Sequence, residues 1–246
     1  MIYIFDVDGT LTKSRNKMDL SFAQFFYDFT EHNRVWLISG SDKDKTIEQV
    51  GGTIWHKVER AYQCSGNQLF QNGKLIKENE FELPIQVEVC LEAFLEESKY
   101  PHRFGNHIEK RPGMVNFSVV GRNCTQEQRE EYFKWDKKNR EREFNAWEIR
   151  ERFNFLDAVV GGEISIDIYD KGQDKGQILG DVDDTFTFFG DKLDEGGNDY
   201  PIHREIVKRK LKGNKTHHVK SWRDTQELLY FRITLRGRAV ASSSGS

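Results

Sequence analysis

At 246 residues, with 37% hydrophobic and 31% charged residues, the chain is long enough for one large domain or two modest ones and has the composition of a soluble protein. A net charge of −3 gives no general attraction for nucleic acid, no apolar run approaches the length of a membrane span, and the first residues lack the basic flank and cleavage site of a secretory signal, so a cytoplasmic location is expected. Cys64, Cys90 and Cys124 are scattered, odd in number and without C-x-x-C spacing, which suggests neither a disulfide framework nor a zinc site and reads as buried thiols.

Residues 2–5 form a short apolar run of β-formers, as expected of a buried strand in a parallel sheet. Asp6 and Asp8 then stand at its carboxyl end, the edge where open α/β sheets bind ligands, and Gly9 lets the backbone turn away from them. Two carboxylates in that place call for a cation. A calcium loop is rejected, because Thr10 and Leu11 occupy positions where it needs oxygen ligands and glycine. A polar connection carrying Arg15 follows. Asp19 can cap a helix whose Leu20, Phe22, Ala23, Phe25, Phe26 and Phe29 give an apolar stripe. A second apolar run, 35–38, ends in Ser39-Gly40-Ser41-Asp42 before a short helical stretch containing Lys45. A hydroxyl there can contact a phosphate, since a helix start favours an anion; Ser41 or Asp42 acting only as a cap is the alternative. Asn72-Gly73 marks a hairpin within 68–76.

The pattern changes at about residue 80. Residues 85–99 read as an amphipathic helix, and 114–122 alternates, with Val115, Phe117 and Val119 on one face and Asn116, Ser118 and Arg122 on the other. Thr125 and Gln128 fit a capping box opening a long charged helical stretch toward Phe155, whose mixed charges indicate a solvated face. Residues 163–170 alternate again, with Ile164, Ile166 and Ile168 inward and Ser165, Asp167 and Tyr169 outward. These strands predict an antiparallel sheet covered on one side, hence a second domain, 81–170, inserted into a first made of 1–80 and 171–235. The first pattern returns with an apolar strand at 185–189 ending in Gly190-Asp191, so Asp191 is a candidate third oxygen ligand for Mg²⁺. Helices are expected at 200–211 and 223–231, and an unstructured tail at 236–246.

Four separated stretches, FDVDGTLT with Arg15, RPGMVNFSVVGR followed by Arg129, GGEISIDIYDKGQDK, and FFGDKLDEGGNDY, carry a resemblance. In order and approximate spacing they resemble the eukaryotic-type phosphomannomutases of the haloacid dehalogenase (HAD) superfamily, over most of the chain to about residue 231. The resemblance implies an α/β fold: a HAD-like, Rossmann-type core with an inserted α/β cap domain built on an antiparallel sheet. It implies conversion of mannose 6-phosphate to mannose 1-phosphate, with Mg²⁺ as cofactor and a hexose 1,6-bisphosphate as activator, in a homodimer formed through the cap.

By the same resemblance Asp6 is the nucleophile, Asp8 the proton shuttle, and Lys175 the lysine that offsets charge at the reacting phosphoryl group. Asp6, the backbone carbonyl of Asp8, and Asp191 would hold the metal. Arg15, Arg111, Arg122 and Arg129 would grip phosphate, with Ser41 and Lys45 as further phosphate contacts, and Ser165 and Asp167 would meet the sugar hydroxyls or nearby phosphate. Gln173 stands where the family usually has tryptophan, Val119 where proline is common, and no further metal ligand is carried over from the altered stretch around Asp199 and Pro201. Two other readings stay open at this point: a HAD-type sugar-phosphate phosphatase, which hands the same aspartyl-phosphate to water, and a non-catalytic sugar-phosphate sensor, against which the intact Asp6, Asp8, Lys175 and Asp191 argue. Mannose against glucose is left undecided.

Overall fold

The computed structural model describes the backbone of residues 1–243 and the side chains of residues 1–232. The first segment runs β1 (Ile2–Asp6), α1 (Leu20–His32), β2 (Arg34–Ile38), α2 (Lys43–Val50), α3 (Gly52–Lys57), β3 (Arg60–Gln63), β4 (Gln68–Gln71) and β5 (Lys74–Glu78). Alternation along β1 sends Tyr3 and Phe5 to one face of the sheet, where their rings meet Phe29 and Phe26 of α1 edge-on at 4.9 and 5.1 Å. Ile2 and Ile4 go to the other face, beside Trp36, Phe188 and Ile202. Both faces are therefore covered, which is why β1 reads as a continuous apolar run. Truncating Phe5 to alanine in this packing would cost about 3–5 kcal/mol. Asp19 caps α1 as expected, accepting from the amides of Ser21 and Phe22 at 3.0 and 3.3 Å. Asn72 and Gly73 carry φ of 50° and 76°, the two positive values that a tight hairpin between β4 and β5 requires.

The second segment contains α4 (Ile85–Glu97), β6 (Ile108–Arg111), β7 (Met114–Phe117), α5 (Gln126–Asn139), α6 (Glu141–Arg152), β8 (Leu156–Gly161) and β9 (Ser165–Asp170). Its strands form one antiparallel sheet in the order β6-β7-β9-β8. Phe117, Ile166 and Ile168 pack beneath Val87, Leu91 and Phe94 of α4 and Tyr132, Ala146 and Ile149 of α5 and α6. The third segment, β10 (Phe186–Gly190), α7 (Tyr200–Lys208), β11 (Lys215–His218) and α8 (Trp222–Ser243), returns to the first sheet, whose order is β11-β10-β1-β2-β3-β4-β5. In it β11, β10, β1, β2 and β3 are parallel and the β4-β5 hairpin is antiparallel. The chain thus leaves one sheet after β5 and rejoins it at β10. Where it crosses, Asn79 Nδ2 donates to Gln173 Oε1 at 2.6 Å and to Asn67 Oδ1 at 2.9 Å, so the glutamine at the family's tryptophan position ties the two crossings together.

Several expectations are corrected. The strand expected over 114–122 stops at Phe117, because a turn follows in which Gly121, at φ 88°, lies against the backbone of Gly105 so closely that a Cβ would sit 2.3 Å from its carbonyl oxygen. Arg122 is delivered by that turn and not by strand alternation. The long helix toward Phe155 is two helices, broken at Arg140, which is left-handed at φ 56°; Asp136 then accepts from Arg142 N and Nε at 3.0 and 2.8 Å and starts the second one. Ser165, Asp167 and Tyr169 do not face solvent: all are buried, because the polar side of the cap sheet lies over the carboxyl edge of the parallel sheet. Backbone of α8 extends to Ser243, into the stretch read as an unstructured tail at 236–246, whose last residues, 244–246, lie outside the described ones. No helix among the described residues is long and apolar enough to cross a membrane.

Candidate active site

Asp6 ends β1 and Asp191 follows β10, the adjacent strand, so parallel pairing alone brings the two carboxylates to one edge. The chain turns away after Asp8 through Gly9, at φ 87°, where a Cβ would come within 2.3 Å of Asp191 Oδ2; only glycine leaves room for that acid. Lys175, fully buried at the head of a 3-10 turn, donates from Nζ to Asp6 Oδ1 at 2.6 Å and to Asp199 Oδ1 at 2.7 Å. The second oxygen of Asp199 accepts from the Lys192 amide at 3.1 Å. One carboxylate oxygen each from Asp6, Asp191 and Asp199 fall within 4.8 Å of one another.

Two buried acids, Asp6 and Asp199, share one ammonium here with half-buried Asp191 beside them, and the electrostatics show the surplus. Burial, and then the charge of Asp199, push the Asp6 carboxyl well above its ordinary value. The same two causes raise Asp191 to about 6. Burial alone would lower Lys175, but Asp199 and Asp6 override it and hold the ammonium charged. An all-oxygen donor set carrying excess negative charge fits a hard divalent cation, which would neutralise what Lys175 does not. Asp8, expected to meet the metal through its backbone carbonyl and to shuttle a proton with its side chain, keeps its carboxylate outside this cluster. Its Oδ1 accepts from the Arg15 amide at 2.7 Å and from Gln49 Nε2 at 2.9 Å, which fixes the group. Asp199, from the loop discounted in the sequence, takes the third carboxylate place.

Above these acids one cavity is lined by Asp6, Asp8, Arg15, Ser41, Asp191 and Asn198 from the parallel-sheet side and by Arg111, Asn116, Arg122, Arg129, Ser165 and Asp167 from the other. Arg122 donates from Nη1 to Ser165 Oγ at 3.0 Å, and Asn116 Nδ2 donates to Asp167 Oδ1 at 2.6 Å. Arg129, buried on α5, has Nε 4.0 Å from Glu163 Oε2. Arg15 lies at the cavity but is exposed, with a left-handed backbone, so it is held less firmly than the cap arginines. Lys45 is not among the lining residues; its Nζ pairs with Asp42 at 3.1 Å and Glu109 at 3.2 Å. Ser41 does line the cavity, with its amide donating to Ser39 Oγ at 3.0 Å.

Five buried polar atoms with no protein hydrogen-bond partner, Arg111 Nε, Asn116 Oδ1, Arg122 Nε, Glu163 Oε2 and Asn198 Oδ1, belong to residues that line this one cavity. Since an unpaired buried polar group costs about 1–3 kcal/mol, their concentration marks a place built for a polar ligand. The walls are tied together around it: Arg111 Nη1 donates to Gly40 O and Lys192 Nζ to Gly162 O, each at 2.8 Å. Residues given no place in the site by the sequence reading, Gln49, Glu109, Asn116, Glu163, Lys192 and Asp199, share a weak signal. Each is an ordinary polar residue in a helix, short strand or loop; Asn116, Glu163, Lys192 and Asp199 lie within the stretches that carry the resemblance, and Gln49 and Glu109 outside them.

Comparison with known proteins places this geometry in context. The model of the family described as eukaryotic phosphomannomutase matches residues 22–232. A phosphomannomutase of Encephalitozoon cuniculi is 36% identical over 219 residues, spanning 83% of this chain and 86% of that protein. One of Dendrobium officinale is 35% identical over 213 residues, spanning 82% and 84%. Among solved structures, an N-terminally truncated Plasmodium falciparum IMP-nucleotidase aligns with TM-score 0.59 at 16% identity over 93% of this chain and 69% of that one. The C-terminal domain of C. albicans trehalose-6-phosphate phosphatase aligns with TM-score 0.57 at 16% identity over 90% and 79%. At such identities these structures show a shared fold and nothing finer.

Proposed function

The chain belongs to the eukaryotic phosphomannomutase family and has that family's activity, on a hexose phosphate; we propose that it interconverts mannose 6-phosphate and mannose 1-phosphate through an aspartyl-phosphate on Asp6 and a hexose 1,6-bisphosphate. The observation that carries this reading is that one cavity has acids with a buried lysine at one end and three arginines at the other. A substrate with an anion at each end fits such a cavity. Mg²⁺ is the proposed occupant of the Asp6, Asp191 and Asp199 cluster, where it would supply positive charge to the phosphoryl oxygens during transfer.

In the proposed cycle the sugar hydroxyl attacks the phosphorus carried on Asp6 as Asp8 takes the hydroxyl proton and the bond to Asp6 breaks. The bisphosphate so formed turns end for end. Asp6 then attacks the other phosphorus, Asp8 returns the proton to the departing sugar oxygen, and the phosphoenzyme is regenerated. Asp8 suits a shuttle because one of its oxygens is pinned by Arg15 N and Gln49 Nε2. Lys175, between Asp6 and Asp199, keeps the nucleophile oriented and offsets part of the charge that crowds it. Arg111, Arg122 and Arg129 take the phosphate that is not reacting, because planar guanidinium forks make paired, charge-assisted bonds to it. Ser165 and Asp167 face the sugar. The protein is further proposed to work in the cytoplasm as a homodimer through the cap, where Ile85 and Val89, four residues apart on α4, are exposed and apolar.

The test is a coupled assay on mannose 1-phosphate and glucose 1-phosphate, with and without Mg²⁺ and a hexose 1,6-bisphosphate, counting inorganic phosphate alongside isomerised sugar. Isomerisation that needs both additions supports the reading. Phosphate release outpacing isomerisation would instead make the chain a sugar-phosphate phosphatase.

A further inference from the structure

We propose that Glu109 is a positioning residue for this reaction: one carboxylate that orients both Arg111 and Arg122 and, through Lys45, makes their orientation depend on closure of the cap. The inference rests on the reading that these arginines hold the non-reacting phosphate. In the sheet register Glu109 of β6 lies opposite Asn116 of β7, and Asn116 lies opposite Asp167 of β9. The three make one polar row across the side of the cap sheet that faces the acids. At the end of that row Glu109 meets three cations: Arg122 Nε at 2.7 Å, Arg111 Nη2 at 3.0 Å and Lys45 Nζ at 3.2 Å.

Glu109 does not itself line the cavity, so it works from behind the arginines and not in the substrate's place. Arg122 donates from Nη1 to Ser165 Oγ, and its Nε lies 2.7 Å from the Glu109 carboxylate as an ion pair without hydrogen-bond geometry, so that N–H remains available to a ligand. Arg111, engaged by Glu109 at Nη2 and by the Gly40 carbonyl at Nη1, keeps a buried Nε with no hydrogen-bond partner. A guanidinium makes paired bonds to phosphate best when its plane is set: two hydrogen bonds set that of Arg111, while the Ser165 hydrogen bond and the nearby charge of Glu109 hold that of Arg122. Burial would push the Glu109 carboxyl up, but Arg111 and Lys45 hold it below its ordinary value, so it is ionised.

Lys45 is the part that links orientation to closure, because it comes from α2 of the parallel-sheet region while its partner is on the cap. With the cap down, the carboxylate is shared among three cations and the arginines have donors to spare. With the cap raised, Lys45 is withdrawn, Glu109 draws harder on the arginines, and the grip on phosphate loosens. A bisphosphate that must turn round needs a grip of that kind, firm when closed and weak when open.

Glu109→Gln and Lys45→Met, alone and combined, test this, with Arg122→Ala as the reference and thermal melts to check folding. Glu109→Gln is expected to raise KM for hexose phosphate about fivefold and the inorganic phosphate released per isomerised sugar about threefold. Lys45→Met should raise that phosphate share about twofold while KM stays within about twofold of wild type, and the double variant should match Glu109→Gln, since Lys45 acts through it. Unchanged phosphate shares, or single effects that multiply in the double variant, would overturn the proposal. Should Glu109→Gln fail to fold, Lys45→Met decides alone, at a half-exposed position. If Arg122→Ala leaves KM unmoved, it is the placement of the distal phosphate that fails, whatever Glu109 does.

Discussion

The two ends of the cavity are electrostatic opposites built on the same plan. At the parallel-sheet end, two of three clustered carboxylates pair with one buried lysine; at the cap end, Arg111 and Arg122 pair with one carboxylate, Glu109. In each, a single opposite charge keeps like charges together and fixes their directions. The difference lies in what is left over. The acid end keeps surplus negative charge that calls for a cation before it can approach a phosphate, whereas the arginine end keeps free donors that can take a phosphate directly. The proposed reading therefore gives chemistry to the first end and holding to the second.

Asp6→Asn tests that division most severely, because it preserves shape but removes the nucleophile and one charge of the cation cluster. Turnover and phosphoenzyme should vanish, with a loss of at least about 10⁴-fold in kcat, while the fold survives; radiolabel transfer from a hexose bisphosphate is the measurement. Asp8→Asn should come next, lowering kcat by about 10²–10⁴-fold with KM nearly unchanged. A defect confined to KM would move Asp8 from the chemical end to the holding end. The smallest effect concerns the cation itself. Mg²⁺ at a hundredfold excess over its Kd should stabilise the chain by about 2.7 kcal/mol, seen as a rise in Tm of several degrees, and Asp199→Asn should remove most of that rise. An unchanged Mg²⁺ response in Asp199→Asn would take this residue out of the cation site.

The acid end was far more legible in the sequence than the arginine end, for a physical reason. A strand buried on both faces must be a continuous apolar run, so β1 and β10 announce themselves, and an acid immediately after such a run lies at the sheet edge whatever the rest of the chain does. Asp6, Asp8 and Asp191 were found in that way; Lys175 came from resemblance alone. Asp199 was passed over because it belongs to a loop, whose path depends on long-range packing against Lys175. On the cap, β6 has four residues, Ile-Glu-Lys-Arg, too short and too polar for alternation to show. Glu109 consequently looked like one more surface charge, though it is the partner that Arg111 and Arg122 share. Arg122 itself was predicted for the right place by the wrong route, since the turn at Gly121 and not the strand carries it there. Strand β3, Arg-Ala-Tyr-Gln, was missed because it too has four residues and is half polar; its burial comes from strands on both sides.

The central claim, that the arginine end holds one phosphate so that the other can react out of reach of water, is tested most directly by Arg122→Ala at saturating substrate, through the inorganic phosphate released per hexose phosphate isomerised. Loss of a charge-assisted pair should weaken binding by about 1.5–3 kcal/mol, and less favoured closure should admit water to the phosphoenzyme, so the ratio should rise while isomerisation falls. If isomerisation falls with the ratio unchanged, Arg122 binds but does not help to exclude water, and the account of the cap end is contradicted.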